Sequence, residues 1–133
     1  MKRTLSALVV LVIGTFAGAQ RADAQEWRPP SRSMPAMPRA SEVSAGWMSS
    51  NNAWFASAAR SVGVDAASLR VAGEGRQSGG QVQVVRATSG PLPVVVWQDR
   101  NGDARADLIE VFRNGSVVIQ LIDADYDGTA NVL

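Results

Sequence analysis

Two short stretches near the end of the chain carry the residue types best suited to chemistry. The first reads Asp99-Arg100-Asn101-Gly102-Asp103-Ala104-Arg105-Ala106-Asp107, and the second Asp123-Ala124-Asp125-Tyr126-Asp127-Gly128-Thr129-Ala130-Asn131. They begin 24 residues apart. Counted from the first Asp, both carry an oxygen-bearing side chain at positions 1, 3, 5 and 9 and a small residue at position 6. A chain wrapped around one cation turns alternate residues inward, which accounts for positions 1, 3 and 5. Position 7 can add its backbone carbonyl, here from Arg105 or Thr129, and position 9 a further side chain. Calcium takes about six to eight oxygen ligands at about 2.3–2.6 Å. Asp99, Asn101, Asp103, Arg105 and Asp107 are therefore candidate ligands for one Ca2+, and Asp123, Asp125, Asp127, Thr129 and Asn131 for another. Without an ion, carboxylates crowded together raise one another's pKa and open the loop, so binding is expected to couple to folding.

Composition removes most competing chemistry. The chain has no histidine and no cysteine. Zinc sites of the usual kind, imidazole bases and thiolate nucleophiles are absent with them. Lys2 is the sole lysine, so the rest of the chain holds no Schiff-base nitrogen. A glycosidase-type pair needs two carboxylates across a cleft, whereas these are packed into short loops. The chain is thus expected not to be an enzyme. Charge is uneven: residues 25–98 hold seven Arg against four acids, and residues 99–133 hold seven acids against three Arg. The arginines are scattered, so nothing suggests a nucleic-acid partner.

The elements that must hold these loops read as a small, mainly β domain of the α+β kind. Leu69 to Val71, Gln81 to Ala87, Val94 to Trp97, Leu108 to Phe112 and Val117 to Ile122 are strand candidates by alternation and β-branched content. Residues 73–80 read as a flexible loop, Ser89-Gly90-Pro91 as a turn, and Asn114-Gly115 as a hairpin turn between two apolar runs. One helix is expected from Asn52 to Val62, with Trp54 and Phe55 packing into the core and Gly63 ending it. A further helical turn is expected behind Asp65 as cap. The sum is an antiparallel meander of four or five strands with one N-terminal helix and the two Asp-rich loops.

The beginning of the chain reads as an export signal. Lys2 and Arg3 precede an uncharged apolar run, and Ala22-Asp23-Ala24 is a small-x-small cleavage site. Residues 1–24 are expected to be a signal peptide, residues 25–46 a disordered Pro/Ser-rich arm, and residues 47–133 a single domain. The apolar run is too short to span a bilayer, so no membrane span is expected after cleavage. A secreted or periplasmic location follows.

The acidic loops resemble two known patterns, over residues 99–133. The calcium-loop unit of secreted β-repeat proteins of the FG-GAP and VCBS kind runs Asp-x-Asn-Gly-Asp-Gly-x-x-Asp-Leu. Asp99, Asn101, Gly102, Asp103, Asp107 and Leu108 match it, and Ala104 departs. The second loop has Tyr126 and Asn131 where that pattern has Gly and Asp. The EF-hand loop is similar in spacing and implies Glu110, at position 12, as a further ligand. Gly128 matches that family's glycine at position 6, while Ala104 does not, and an EF-hand also implies flanking helices. The first resemblance implies structural calcium sites in a module that binds something else, an unidentified protein or a cell-surface partner. The second implies a calcium-responsive regulator. A third reading makes the loops plain solvated turns. Loop 99–107 is expected to bind better, because Asp107 is a full carboxylate and loop 123–131 lies near the chain end, where chains fray.

Overall fold

The computed structural model describes residues 27–76 and 78–131. The segment read as a signal peptide lies outside these residues. Three short helices, α1 (Ala40–Ser44), α2 (Trp47–Asn51) and α3 (Ala53–Ser61), precede five strands: β1 (Arg70–Glu74), β2 (Val84–Ser89), β3 (Leu92–Gln98), β4 (Leu108–Arg113) and β5 (Ser116–Ile122). Each strand pairs antiparallel with the next, in the order β1-β2-β3-β4-β5. The mainly β meander expected from the alternation is present. Among the described residues no helix is long and apolar enough to cross a membrane.

Alternation fixes which face of the sheet is core. Val85, Ala87, Val95, Trp97, Ile109, Val111 and Leu121 are buried. Val85 stands opposite Trp97, Trp97 opposite Ile109, and Ile109 opposite Leu121. α3 lies on this face and buries Phe55, Ala58 and Ala59. Phe55 stacks on Trp97 with ring centroids 4.4 Å apart and planes at 26°. Asn52 starts α3 by accepting from the N–H groups of Trp54 and Phe55, which satisfies donors that the helix itself leaves unpaired. Asp65 caps the turn Ala66–Ser68 in the same way. Asn114 and Gly115 both have positive φ, 52° and 80°, between the paired residues Arg113 and Ser116. A two-residue turn of that hand matches the twist of its strands.

Two expectations need correction at the N-terminal side. One helix was expected, and α1 and α2 stand before it; each has only five residues, too short for a hydrophobic period to show. The arm expected to be disordered is docked over its described residues, 27–46. Met34, Met37 and Val43 are buried in the core. Trp27 meets Trp54 edge-on at 6.2 Å and donates from Nε1 to Ser57 Oγ at 2.9 Å. Ser33, Ala36 and Arg39 form β-bridges with Thr129, Arg105 and Gln81. Proline removes backbone donors, but carbonyls remain: Pro35 and Pro38 accept from Ala106 and Val82 at 2.9 and 3.1 Å.

Those bonds expose a 24-residue internal repeat with three turns rather than two. The carbonyls of Arg32, Pro35 and Pro38 accept from Ala130, Ala106 and Val82. Asn131, Asp107 and Gln83 donate to Ile122, Gln98 and Glu74. Each acceptor and donor in the sheet thus recurs 24 positions on. The bulges follow the same period, at Ala87/Thr88 and at Val111/Phe112. One unit is a nine-residue loop, a strand, a tight turn and a strand. The loops 99–107 and 123–131 and the described residues of 75–83 stand side by side at one end of the sheet, and the segment 32–39 runs across them.

Candidate cation loops

Within loop 99–107 the side chains at positions 1 and 9 act as scaffold. Asp99 accepts from Gly102 N at 2.7 Å and from Ala104 N at 2.8 Å. Asp107 Oδ2 accepts from Arg100 N at 2.6 Å and Asn101 N at 3.1 Å. Asp103 Oδ1 accepts from Arg105 N at 2.8 Å. Loop 123–131 repeats the plan. Asp123 accepts from Asp127 N and Gly128 N at 3.2 and 2.7 Å, Asp127 from Thr129 N at 2.7 Å, and Asn131 Oδ1 from Ala124 N at 2.6 Å. Asp99, Asp107 and Asp123 are buried, while Asn101, Asp103, Asp125 and Asp127 are exposed at the mouth.

The backbone bends alike in both. Positions 4 and 6 have positive φ: Gly102 81° and Ala104 69° in one loop, Tyr126 60° and Gly128 87° in the other. Ala104 therefore reaches the tight conformation that glycine takes more readily, against the strain of its Cβ. Loop 75–83, which has no acidic residue, bends differently: its positive φ values fall at Gly75, Gly79 and Gly80, positions 1, 5 and 6, so it shares only position 6 with the acidic loops.

Position 7 is bridged to the arm in both acidic loops. Met37 N donates to Ala104 O and Ala106 N to Pro35 O, both flanking the bridged residue Arg105. In such a non-hydrogen-bonded antiparallel pair the N–H and C=O of the bridged residue turn away from the partner. The Arg105 N–H accordingly goes to Asp103, and the Arg105 carbonyl faces the loop. Thr129 is placed identically, between Gly128 O and Ala130 N. Glu110 is different. It lies within β4, opposite Gln120, and Gln120 Nε2 donates to its Oε1 at 2.8 Å. It takes part in a cross-strand pair rather than in the loop.

The two loops differ in how their carboxylates are partnered. In 123–131, carboxylate oxygens of Asp123, Asp125 and Asp127 all lie within 4.8 Å of one another, a spread that one calcium shell of about 2.3–2.6 Å radius spans. Asn131 Nδ2 donates to Asp125 Oδ1 at 3.0 Å, and this bond is the first cause of the lowered Asp125 pKa. In 99–107, Asp107 Oδ1 is buried with no hydrogen-bond partner. Burial raises the Asp107 pKa, the N–H groups of Arg100 and Asn101 oppose the rise, and the charges of Asp103 and Asp99 add to it. By the equivalence of the loops, Asp107 Oδ1 holds the place of Asn131 Nδ2, the atom that points into its loop at Asp125.

The expected ranking of the loops loses its main ground. Loop 123–131 does not hang loose: Asn131 N donates to Ile122 O at 2.8 Å, and Ala130 and Gly128 are tied to the arm. The docking of the arm and the alignment of loop 75–83 with the acidic loops were missed from sequence, although extending the 24-residue register back from Asp99 lands on Gly75. No protein-family model matches the chain, and no curated protein or solved structure is significantly similar to it.

Proposed function

We propose that this chain is an exported, non-catalytic calcium-binding module, with cation sites in loops 99–107 and 123–131 that brace a surface for a protein or cell-surface partner. The observation that carries the reading is Asp107 Oδ1, a buried carboxylate oxygen without a partner in a loop whose other oxygens are ordered by backbone N–H groups. An unsatisfied buried carboxylate is unfavourable, and a cation coordinated there relieves it. The ligand sets are Asp99, Asn101, Asp103, Asp107 and the Arg105 carbonyl in one loop, and Asp123, Asp125, Asp127 and the Thr129 carbonyl in the other. Burial of the first Asp in each loop argues against plain solvated turns, whose side chains face water. A hard, oxygen-only donor set suits calcium better than softer metals. Export rests on the segment 1–24 and is checked by the mass of the natively processed chain.

Thermal melting tests the cation reading. Calcium should raise the midpoint of the protein, because an ion bound only to the folded state stabilises it by mass action. Asp103→Asn and Asp125→Asn should each remove part of that rise. An unchanged midpoint up to about 10 mM calcium contradicts it, since even weak extracellular sites bind at about 0.1–1 mM.

A further inference from the structure

The segment 32–37 holds both acidic loops by the same pair of bonds, stepped by three residues. Arg32 O accepts from Ala130 N at 3.0 Å and Met34 N donates to Gly128 O at 2.8 Å. Pro35 O accepts from Ala106 N at 2.9 Å and Met37 N donates to Ala104 O at 2.8 Å. In each loop these bonds flank the residue at position 7, whose own N–H and C=O turn away from the segment. A cation held by that carbonyl would grip the side of these residues opposite the segment. Arg105 closes the connection: its Nη1 donates to Met34 O at 3.4 Å, and its Cδ lies 3.8 Å from where a Cβ on Gly128 would stand. One loop, the segment and the other loop form a continuous chain of contacts. Met34 and Met37 are the buried anchors beneath it.

We infer that residues 32–37 are a strap latched by the two cation sites: calcium in the loops holds the strap down, and lifting the strap loosens the ions. This rests on the calcium reading above, which in loop 99–107 is supported by the buried, unpartnered Asp107 Oδ1 and in loop 123–131 by the Asp123, Asp125 and Asp127 cluster. Linkage makes the effect reciprocal: whatever weakens the strap weakens calcium at both loops, and filling one loop favours the other. A partner that captured residues 32–37 would in the same way compete with calcium.

Amide hydrogen exchange on the protein, with and without calcium chloride, tests the latch. At calcium about 100 times Kd, exchange at Met34, Met37, Ala106 and Ala130 should slow about a hundredfold if the ions bind only the strapped state. Val82, which donates to Pro38 beside the carboxylate-free loop 75–83, should slow less. In Asp125→Asn, which leaves the backbone bonds of its loop in place, Met34 and Ala130 should slow less at the same calcium. Calorimetric heat of calcium binding without slowing at Met34 and Met37 overturns the strap and leaves the sites standing. Equal slowing throughout the sheet, Val82 included, also overturns it, in favour of uniform stabilisation. Absence of any binding heat overturns the sites and the strap together.

Discussion

Asp107 and Asn131 hold the same place in successive turns of the repeat. Each donates its backbone N–H to the last residue of the strand before its loop, at 2.7 and 2.8 Å. Each accepts at 2.6 Å from the N–H at position 2, Arg100 for one and Ala124 for the other. They differ in the remaining side-chain atom. Asn131 offers Nδ2, which donates to Asp125; Asp107 offers Oδ1, which has no partner. One loop supplies its own hydrogen-bond donor where the other presents a bare acceptor.

Asp107→Asn should therefore act with opposite signs on stability and on binding. Without calcium, the variant should be more stable by about 1 kcal/mol, the low end of the penalty for an unsatisfied buried polar group. For a domain this small that is about 4–8 °C in the melting midpoint. With calcium, the gain from loop 99–107 should shrink. Paired melts with calcium and with chelator check both halves. A variant less stable than the parent in chelator contradicts the assignment of Oδ1 as a liability.

The same residue sets a pH dependence. The folded-state pKa of Asp107 is raised, burial being the first cause. A raised carboxylate contributes stability that is fully present below its unfolded value, 3.8, and lost as pH rises through its folded value. The advantage of Asp107→Asn over the parent, measured by denaturant unfolding in chelator, should thus be larger at pH 7 than at about pH 3. Asp125 runs the other way, its pKa lowered first by Asn131. Its contribution is present above the unfolded value and lost as pH falls through the folded one. Asp125 is exposed, so that effect should be small and sensitive to salt.

Backbone strain at position 6 gives a matched pair of substitutions. Ala104 sits at φ 69° and Gly128 at φ 87°. Ala104→Gly should stabilise the calcium-free protein, and Gly128→Ala should destabilise it, each by about 0.5–1 kcal/mol. A Cβ on Gly128 would meet Arg105 at an ordinary 3.8 Å, so conformation rather than collision decides the sign. Chemical unfolding of the two variants measures both.

Much of the sheet was legible because its residues have no second use. Val94 to Trp97 and Leu108, Ile109 and Val111 are driven by burial, and Asn114-Gly115 by the positive φ its turn demands. The loops were legible as a register of oxygens, and Asn52 and Asp65 as caps. The arm was not. Pro35 and Pro38 read as breakers because proline cannot donate, yet their role depends on carbonyls, which every residue has. Met34 and Met37 are buried by loops far along the chain, and no local period reports that. The equivalence of loop 75–83 was hidden because it lacks carboxylates and bends at Gly75 and Gly79, where the acidic loops hold aspartates. Glu110 was misplaced by counting from Asp99 across a boundary where the loop ends and strand alternation takes over.

Docking of the arm carries a stability consequence. Met34 is 1% exposed, and truncating a buried methionine costs about 2–5 kcal/mol. Met34→Ala should lower stability by the smaller part of that range, since the arm can partly collapse, and Met37→Ala by a similar amount. Denaturant unfolding checks it. Two variants indistinguishable from the parent would mean that the arm is not packed as described.

The most direct test of the cation sites is calorimetric titration of the protein with calcium, compared with Asp99→Ala and Asp123→Ala. Two binding events are predicted for the parent, with each substitution removing the one in its own loop. Magnesium should give much weaker heat, because it demands a smaller octahedral shell. Absence of calcium heat at any concentration up to about 10 mM, or heat unchanged in both variants, would contradict the account.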